Sequence, residues 1–202
     1  MNGISDLALD AAGSVWAYLV VALCAAFDAI IPMVPSESVV VALAAVSVDT
    51  GAPNLVLLAL AAGLGAFVGD NTTFQIGRRV GLERFGWMRT RRMQKAWTMA
   101  RRELDRRAAV LILTARYIPV GRAAVNLTAG ATGYPTRRFV VLSAIAATSW
   151  AAYSVAVGVL AGSWVKAHPL YGALVAVVVA VCLGLVVDRV LSAWRRRVLP
   201  TD

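Results

Sequence analysis

Five charged side chains lie within or beside long apolar stretches of the sequence: Asp28, Glu37, Asp70, Arg116 and Arg122. A charge at the centre of a bilayer costs about 2.5 to 3.5 kcal/mol on insertion scales, so such residues are normally paired, solvated in a cavity, or functional. Guanidinium groups are always charged and bind two phosphate oxygens at once. We therefore expect Arg116 and Arg122, with Asn126 just beyond them, to bind a phosphate.

The three carboxylates admit two functional roles. They can hold the arginines when substrate is absent, or they can exchange protons and so couple transport to the proton gradient. The alternative is that all these charges form permanent ion pairs that only fix the fold. Glu37 lies at broken backbone, whereas Asp28 and Asp70 can also be helix-end or interfacial groups.

Two of the apolar stretches are interrupted where these charges lie. The stretch 33 to 47 is shorter than the roughly 20 residues of a spanning helix, and Pro32 and Pro35 break its start. The stretch 109 to 133 is long enough but contains Pro119 and Gly121. Both segments are predicted to be re-entrant, with exposed backbone N–H groups that add positive potential beside the arginines.

The composition requires lipid around the chain. Of 202 residues, 59% are hydrophobic and 15% charged, and the mean hydropathy is +0.71, which leaves too few polar side chains to cover a soluble domain. The net charge is +9, and the basic residues lie between apolar stretches and at the C-terminus. This pattern is typical of membrane proteins and argues against a nucleic-acid partner. Cys24, Cys182 and His168 are isolated, so neither a disulfide, a metal site nor a cofactor is expected.

The predicted fold is an all-α polytopic membrane protein with one domain and two opposed re-entrant hairpins related by an inverted repeat. Ile31 to Pro35 and Ile118 to Gly121 share a faint likeness that favours this repeat. The predicted segments are an N-terminal helix 1–31, a first re-entrant segment 32–47, a transmembrane helix 54–78, a basic amphipathic cytoplasmic segment 79–108, a second re-entrant segment 109–134, transmembrane helices 139–162 and 170–194, and a basic tail 195–202.

The orientation follows from the basic residues. The loop 78–107 is rich in arginine and belongs in the cytoplasm. If 109–133 dips into the membrane and returns, then Arg137, Arg138 and the C-terminal arginines are cytoplasmic as well. The amphipathic part of the loop, 82–107, is expected to lie on the membrane surface, and its charges also permit it to grip anionic headgroups.

The motifs that carry these residues resemble those of the DedA family of bacterial membrane proteins, which is related to the VTT-domain lipid scramblases of eukaryotes. The likeness covers roughly residues 27 to 162. Its motifs are Phe27-Asp28 followed by Pro32 and Pro35-Ser36-Glu37, the glycine-rich helix closing on Gly77-Arg78-Arg79-Val80-Gly81, and Arg116-Tyr117-Ile118-Pro119-Val120-Gly121-Arg122 followed by Ala129-Gly130, Phe139 and Trp150.

The resemblance implies facing re-entrant hairpins and the return of undecaprenyl phosphate, or a related polyprenyl phosphate, across the inner membrane with dependence on the proton-motive force. The family's functional acids and arginines correspond to Asp28, Glu37, Asp70, Arg116 and Arg122. Two positions depart from the family pattern. Phe74 stands where tyrosine is common, and Asp28 stands where glutamate is common, so a shorter carboxylate there can alter proton coupling.

The predicted function is therefore a proton-linked flippase for an anionic lipid phosphate, with no cofactor. Its partners are the lipid, protons and the surrounding membrane, and oligomers are possible. A flippase or scramblase for phosphatidylethanolamine or phosphatidylglycerol is the alternative, and a structural or assembly protein is a second. An enzyme that cleaves a lipid phosphate is disfavoured, because the sequence offers no nucleophile beside a base.

Overall fold

The structure is a computed structural model that describes residues 14–31, 35–80 and 91–168. Over these residues the chain is all-helical, as predicted, and contains no strand. The predicted segments 170–194 and 195–202, and Pro32, lie outside the described residues. The helices, in chain order, are α1 (Val15–Ile30), α2 (Ser36–Thr50), α3 (Leu55–Val80), α4 (Arg91–Ala115), α5 (Pro119–Ala131) and α6 (Thr136–Ala167).

Two of the described helices, α3 and α6, are long and apolar enough to cross a membrane. The 26 residues of α3 give a length of about 39 Å at 1.5 Å per residue, which exceeds the roughly 30 Å hydrocarbon core. Helix α3 corresponds to the predicted segment 54–78. Helix α6 extends beyond the predicted segment 139–162 at both ends.

The two short helices are built alike. Helix α2 follows Pro35 and helix α5 begins at Pro119, where proline's fixed φ and missing N–H do no harm. A glycine with a positive φ follows each helix: Gly51 (74°) directly after α2, and Gly133 (75°) one residue beyond the C-cap Thr132 of α5. Glycine adopts this conformation without strain. A second proline stands two positions after each glycine and precedes a long helix. The chain thus repeats one order of break, short helix, turn and long helix.

Glycines let the helix backbones touch. A Cβ at Gly65 of α3 would lie 2.0 Å from the carbonyl oxygen of Ala22 in α1, and one at Gly77 would lie 2.1 Å from that of Leu127 in α5. The other short helix, α2, lies in the same way against Gly158 of α6. Close backbone approach matters in lipid, where apolar burial gives helices little reason to associate.

Helix α4 has two parts that meet at a kink. Arg107 has non-helical angles, φ −141° and ψ 32°. Before it, Arg101, Arg102 and Arg106 are exposed while Leu104 is buried, the pattern of a helix lying on a surface. After it, the last turns of α4 lead directly to Arg116. The kink therefore separates the predicted amphipathic segment from the residues that position the arginine.

We expect Gly65→Ala to lower the free energy of unfolding by about 1 to 3 kcal/mol, because the added methyl overpacks the α1–α3 contact. Gly63→Ala on the same helix is the matched control: its Cβ would meet Ala151 at an ordinary 3.6 Å, and alanine favours helix. Thermal unfolding in detergent measures both. Equal melting temperatures for the two variants would contradict the packing described here.

Candidate functional site

Asp70 is the centre of a buried polar cluster. Its side chain lies on α3 and is 4% exposed. Its Oδ1 accepts a hydrogen bond from Asn126 Nδ2 at 2.9 Å and lies 3.8 Å from Arg122 Nε, while its Oδ2 is paired with Arg116 Nη1. A single carboxylate thus connects α3 to α5 and to the residue after α4.

Asp28, near the end of α1, extends the cluster. Its Oδ2 lies 3.0 Å from Arg122 Nη2 and accepts a hydrogen bond from Ser36 Oγ at 2.6 Å. Its side chain is 18% exposed, against 6% for that of Arg122. Asp28 is therefore the most accessible carboxylate of the cluster.

The N-terminal ends of the two short helices meet at this carboxylate. Ser36 is the first residue of α2, and Arg122 lies in the first turn of α5, where its N–H bonds the carbonyl of Ile118. Neither helix has a side-chain cap. Helix N-termini carry free N–H groups and partial positive charge, which favour an anion.

Arg116 keeps hydrogen-bonding capacity unused. Its Nε and Nη2 are buried and have no hydrogen-bond partner among the described residues. The guanidinium carbon lies 5.0 Å from the ring centroid of Trp150, a cation–π geometry that holds the flat group in place. Buried donors without acceptors are costly, so this site favours a ligand that brings oxygen atoms.

The cluster is electrically neutral overall. Arg116 and Arg122 carry two positive charges, and Asp28 and Asp70 carry two negative ones. This balance explains how four charges remain buried together, since each would otherwise pay a desolvation cost of several kcal/mol. Among the described residues no group of three or more His, Cys, Asp or Glu side chains is placed to hold a metal ion.

The structure brings together most, but not all, of the predicted site residues. Arg116, Arg122, Asn126, Asp70 and Asp28 meet in the cluster. Glu37 is exposed in the first turn of α2 and has no ion pair within the described part of the chain. The predicted breaks lie beside the cluster: Pro35 precedes α2, and Pro119 and Gly121 begin α5.

Two further residues belong to the site. Ser36 binds Asp28, although only its neighbour Glu37 was expected to act. Trp150 stands over Arg116 and makes a cation–π contact with its guanidinium. Both occur in the motifs quoted above, and that is the sequence signal that points to them.

Comparison with known proteins shows the family of the chain. A model of the VTT domain matches residues 34–160, a range that contains Asp70, both arginines and Asn126. The chain is a VTT-domain protein of the DedA family. The DedA protein is also similar to "Undecaprenyl phosphate transporter A" of Bacillus subtilis (strain 168), with 26% identity over 180 aligned residues. The alignment covers 85% of this chain and 90% of that relative. No solved structure matches this chain.

The family and the two apolar helices indicate that this DedA protein is a bacterial inner-membrane protein. The predicted family is therefore confirmed. The matched range begins after Asp28, so the structural evidence that Asp28 belongs to the site is its ion pair with Arg122.

Replacing Asp70 with asparagine is expected to destabilise the DedA protein by about 3 to 5 kcal/mol, because two buried guanidiniums lose their shared counter-charge. The matched control is Asp49→Asn. Asp49 pairs with Lys166 at 3.1 Å, but both side chains are more than half exposed, and exposed pairs contribute little. Chemical or thermal unfolding in detergent compares the two. A similar, small effect of both changes would show that the cluster does not hold the helices together.

Proposed function

We propose that this DedA protein carries undecaprenyl phosphate, or a related polyprenyl phosphate, across the cytoplasmic membrane for reuse in cell-envelope synthesis. One observation carries the proposal: the buried guanidinium of Arg116 has two nitrogens, Nε and Nη2, without a hydrogen-bond partner in the described part of the chain, close to a second buried arginine. The printed name of the Bacillus subtilis relative supports the choice of lipid.

A phosphate can replace the carboxylates at the arginines. Phosphate oxygens accept the unused Nε–H and Nη2–H donors of Arg116 and compete with Asp28 and Asp70 for Arg122. A phosphate monoester carries a charge of about −1.5 to −2 at pH 7, close to the sum for two carboxylates. The exchange therefore keeps the buried charge balanced only if the carboxylates are neutralised.

Protons supply that neutralisation. A carboxylate that has lost its arginine inside the protein is an unpaired buried charge, and protonation removes that cost. Each displaced carboxylate then takes up one proton when phosphate binds and releases it when phosphate leaves. Asp28 is suited to this exchange because it is partly exposed, and Glu37 is suited to deliver protons because it is exposed beside Ser36.

We also propose that the two breaks form opposed re-entrant hairpins related by an inverted repeat. The shared order of proline break, short helix, glycine turn and long helix supports this arrangement. So does the meeting of both short-helix N-termini at Asp28. In this orientation the basic loop 78–107 and the C-terminus face the cytoplasm, since basic residues stay inside.

The test of phosphate binding is transport in proteoliposomes. Arg122→Lys is expected to lower the rate of polyprenyl phosphate translocation about 10- to 100-fold, because lysine cannot form the paired bonds of a guanidinium, and charged hydrogen bonds contribute about 1.5 to 3 kcal/mol. Arg137→Lys, at an exposed position of α6, is the control and should transport normally. Normal transport by a folded Arg122→Lys protein contradicts the proposal.

The same vesicles identify the lipid. Excess phosphatidylethanolamine or phosphatidylglycerol should not compete with polyprenyl phosphate, because a phosphodiester carries only one negative charge. Competition by these phospholipids would favour the alternative of a phospholipid flippase.

Proton coupling has a separate test. An imposed pH gradient is expected to change the wild-type rate several-fold, whereas Asp28→Asn should respond more weakly, because an amide does not bind a proton in this range and only Asp70 is left to take one up. Asp49→Asn, at the exposed ion pair, should keep the full response. An Asp28→Asn protein with the wild-type response would remove Asp28 from the coupling scheme.

A further inference from the structure

A long apolar groove runs along one side of the bundle between α3 and α6. It has a volume of about 560 Å³ and extends from Leu55 to Phe67 on α3 and from Ala144 to Val155 on α6. Among the residues that line it, only Thr148 has a polar side chain. Its size falls in the range of small-molecule sites, roughly 300 to 1,000 Å³.

We propose that this groove holds the hydrocarbon chain of the same lipid whose phosphate binds Arg116 and Arg122. The inference rests on the proposed function, because it needs a lipid phosphate in the charged cluster. It adds a second subsite, for a methyl-branched polyprenyl chain, and it names the residues that form that subsite.

The groove ends close to the charged cluster along α3. Phe67 lines the end of the groove, and its carbonyl oxygen accepts a hydrogen bond from Asn71 at 2.8 Å. Asn71 directly follows Asp70, and its amide also reaches Ser143, the neighbour of groove residue Ala144, at 3.3 Å. Phe67 and Asp70 are three residues apart, about 4.5 Å along the helix axis. A lipid with its phosphate at Arg116 and Arg122 therefore has the groove within reach of its first carbons.

The groove and the cluster also share a wall. Ala147 and Ala151 line the groove and pack in one buried cluster with Trp150. The ring of Trp150 stands over the Arg116 guanidinium. One layer of α6 side chains thus contacts both the place proposed for the phosphate and the place proposed for the chain.

The direction of the groove fits a lipid chain. It follows α3 over twelve residues, about 18 Å, and so runs along a helix that is long enough to cross the membrane. Lipid chains lie roughly parallel to the helices that span the membrane. A phosphate at the Asp70 end leaves the chain to extend along the groove toward Leu55.

A hydrocarbon chain gains no hydrophobic free energy when it moves from the bilayer into an equally apolar groove. The groove must therefore select its chain by shape. Its floor is formed by small residues such as Ala59 and Gly63, while Leu60 and Leu64 are exposed at its rim. Gaps above the small residues accept the methyl branches of a polyprenyl chain. A straight acyl chain has no groups to fill them.

Photolabelling in vesicles tests the chain site. Two probes are used: a polyprenyl phosphate and a phosphatidylethanolamine, each with a diazirine in its chain. The polyprenyl probe is expected to label peptides 55–67 and 144–155 at least several-fold more than the phospholipid probe, and unlabelled undecaprenyl phosphate should compete. Equal labelling by both probes would mean that the groove holds bulk lipid, and absence of labelling would mean that no lipid chain enters the groove. Either result overturns the proposal.

Matched variants complete the test. Ala152→Phe fills the groove and should lower groove labelling several-fold, whereas Ala161→Phe should not. Both alanines are exposed on α6, and nine residues place Ala161 on the opposite side of the helix. Unchanged labelling in folded Ala152→Phe protein overturns the chain site. Transport measured in the same vesicles separates the two proposals, because a wild-type protein that transports without groove labelling refutes only the groove, and one that does not transport refutes the proposed function.

Discussion

The described structure depends on the contacts of one buried carboxylate, that of Asp70. It accepts Asn126 and pairs with Arg116 and, at longer range, with Arg122. Without it, two guanidiniums would stand in an apolar interior with one remaining partner, Asp28. The breaks in the helices serve this arrangement, because the backbone turn at Arg116 and the new helix start at Pro119 bring both arginines to α3 from different directions.

Charge balance connects this fold to transport. A cluster of two cations and two anions is stable in a membrane protein only while its sum stays near zero, so a phosphate bound in the proposed way requires the loss of an equal negative charge from the cluster. The carboxylates are the only anions of the described cluster, and each loses its negative charge when it binds a proton. In the proposed mechanism, the residues that let the chain fold therefore also link the substrate to protons.

Much of this arrangement is predictable from the sequence. Composition and helix breaks indicate the all-α membrane fold, and the cost of charge in apolar stretches selects both arginines and Asp70. The sequence pattern does not indicate which of the three carboxylates pair with the arginines. Glu37 is the one that lies at broken backbone, yet it is exposed, while Asp28 and Asp70 hold the arginines. Which side of α2 faces the cluster depends on how α2 packs along α6, and that register is set by glycine contacts far along the chain, such as the one at Gly158.

Those glycine contacts also divide the described helices mechanically. Backbone touches backbone between α3 and both α1 and α5, and again between α2 and α6, so sliding within either group meets main-chain atoms at once. Between the groups, Gly63 leaves ordinary clearance to Ala151, and Ser36 reaches Asp28 only through side chains. The closest main-chain contacts therefore lie within two groups of helices, and the boundary between the groups, which only side chains cross, passes beside the arginines.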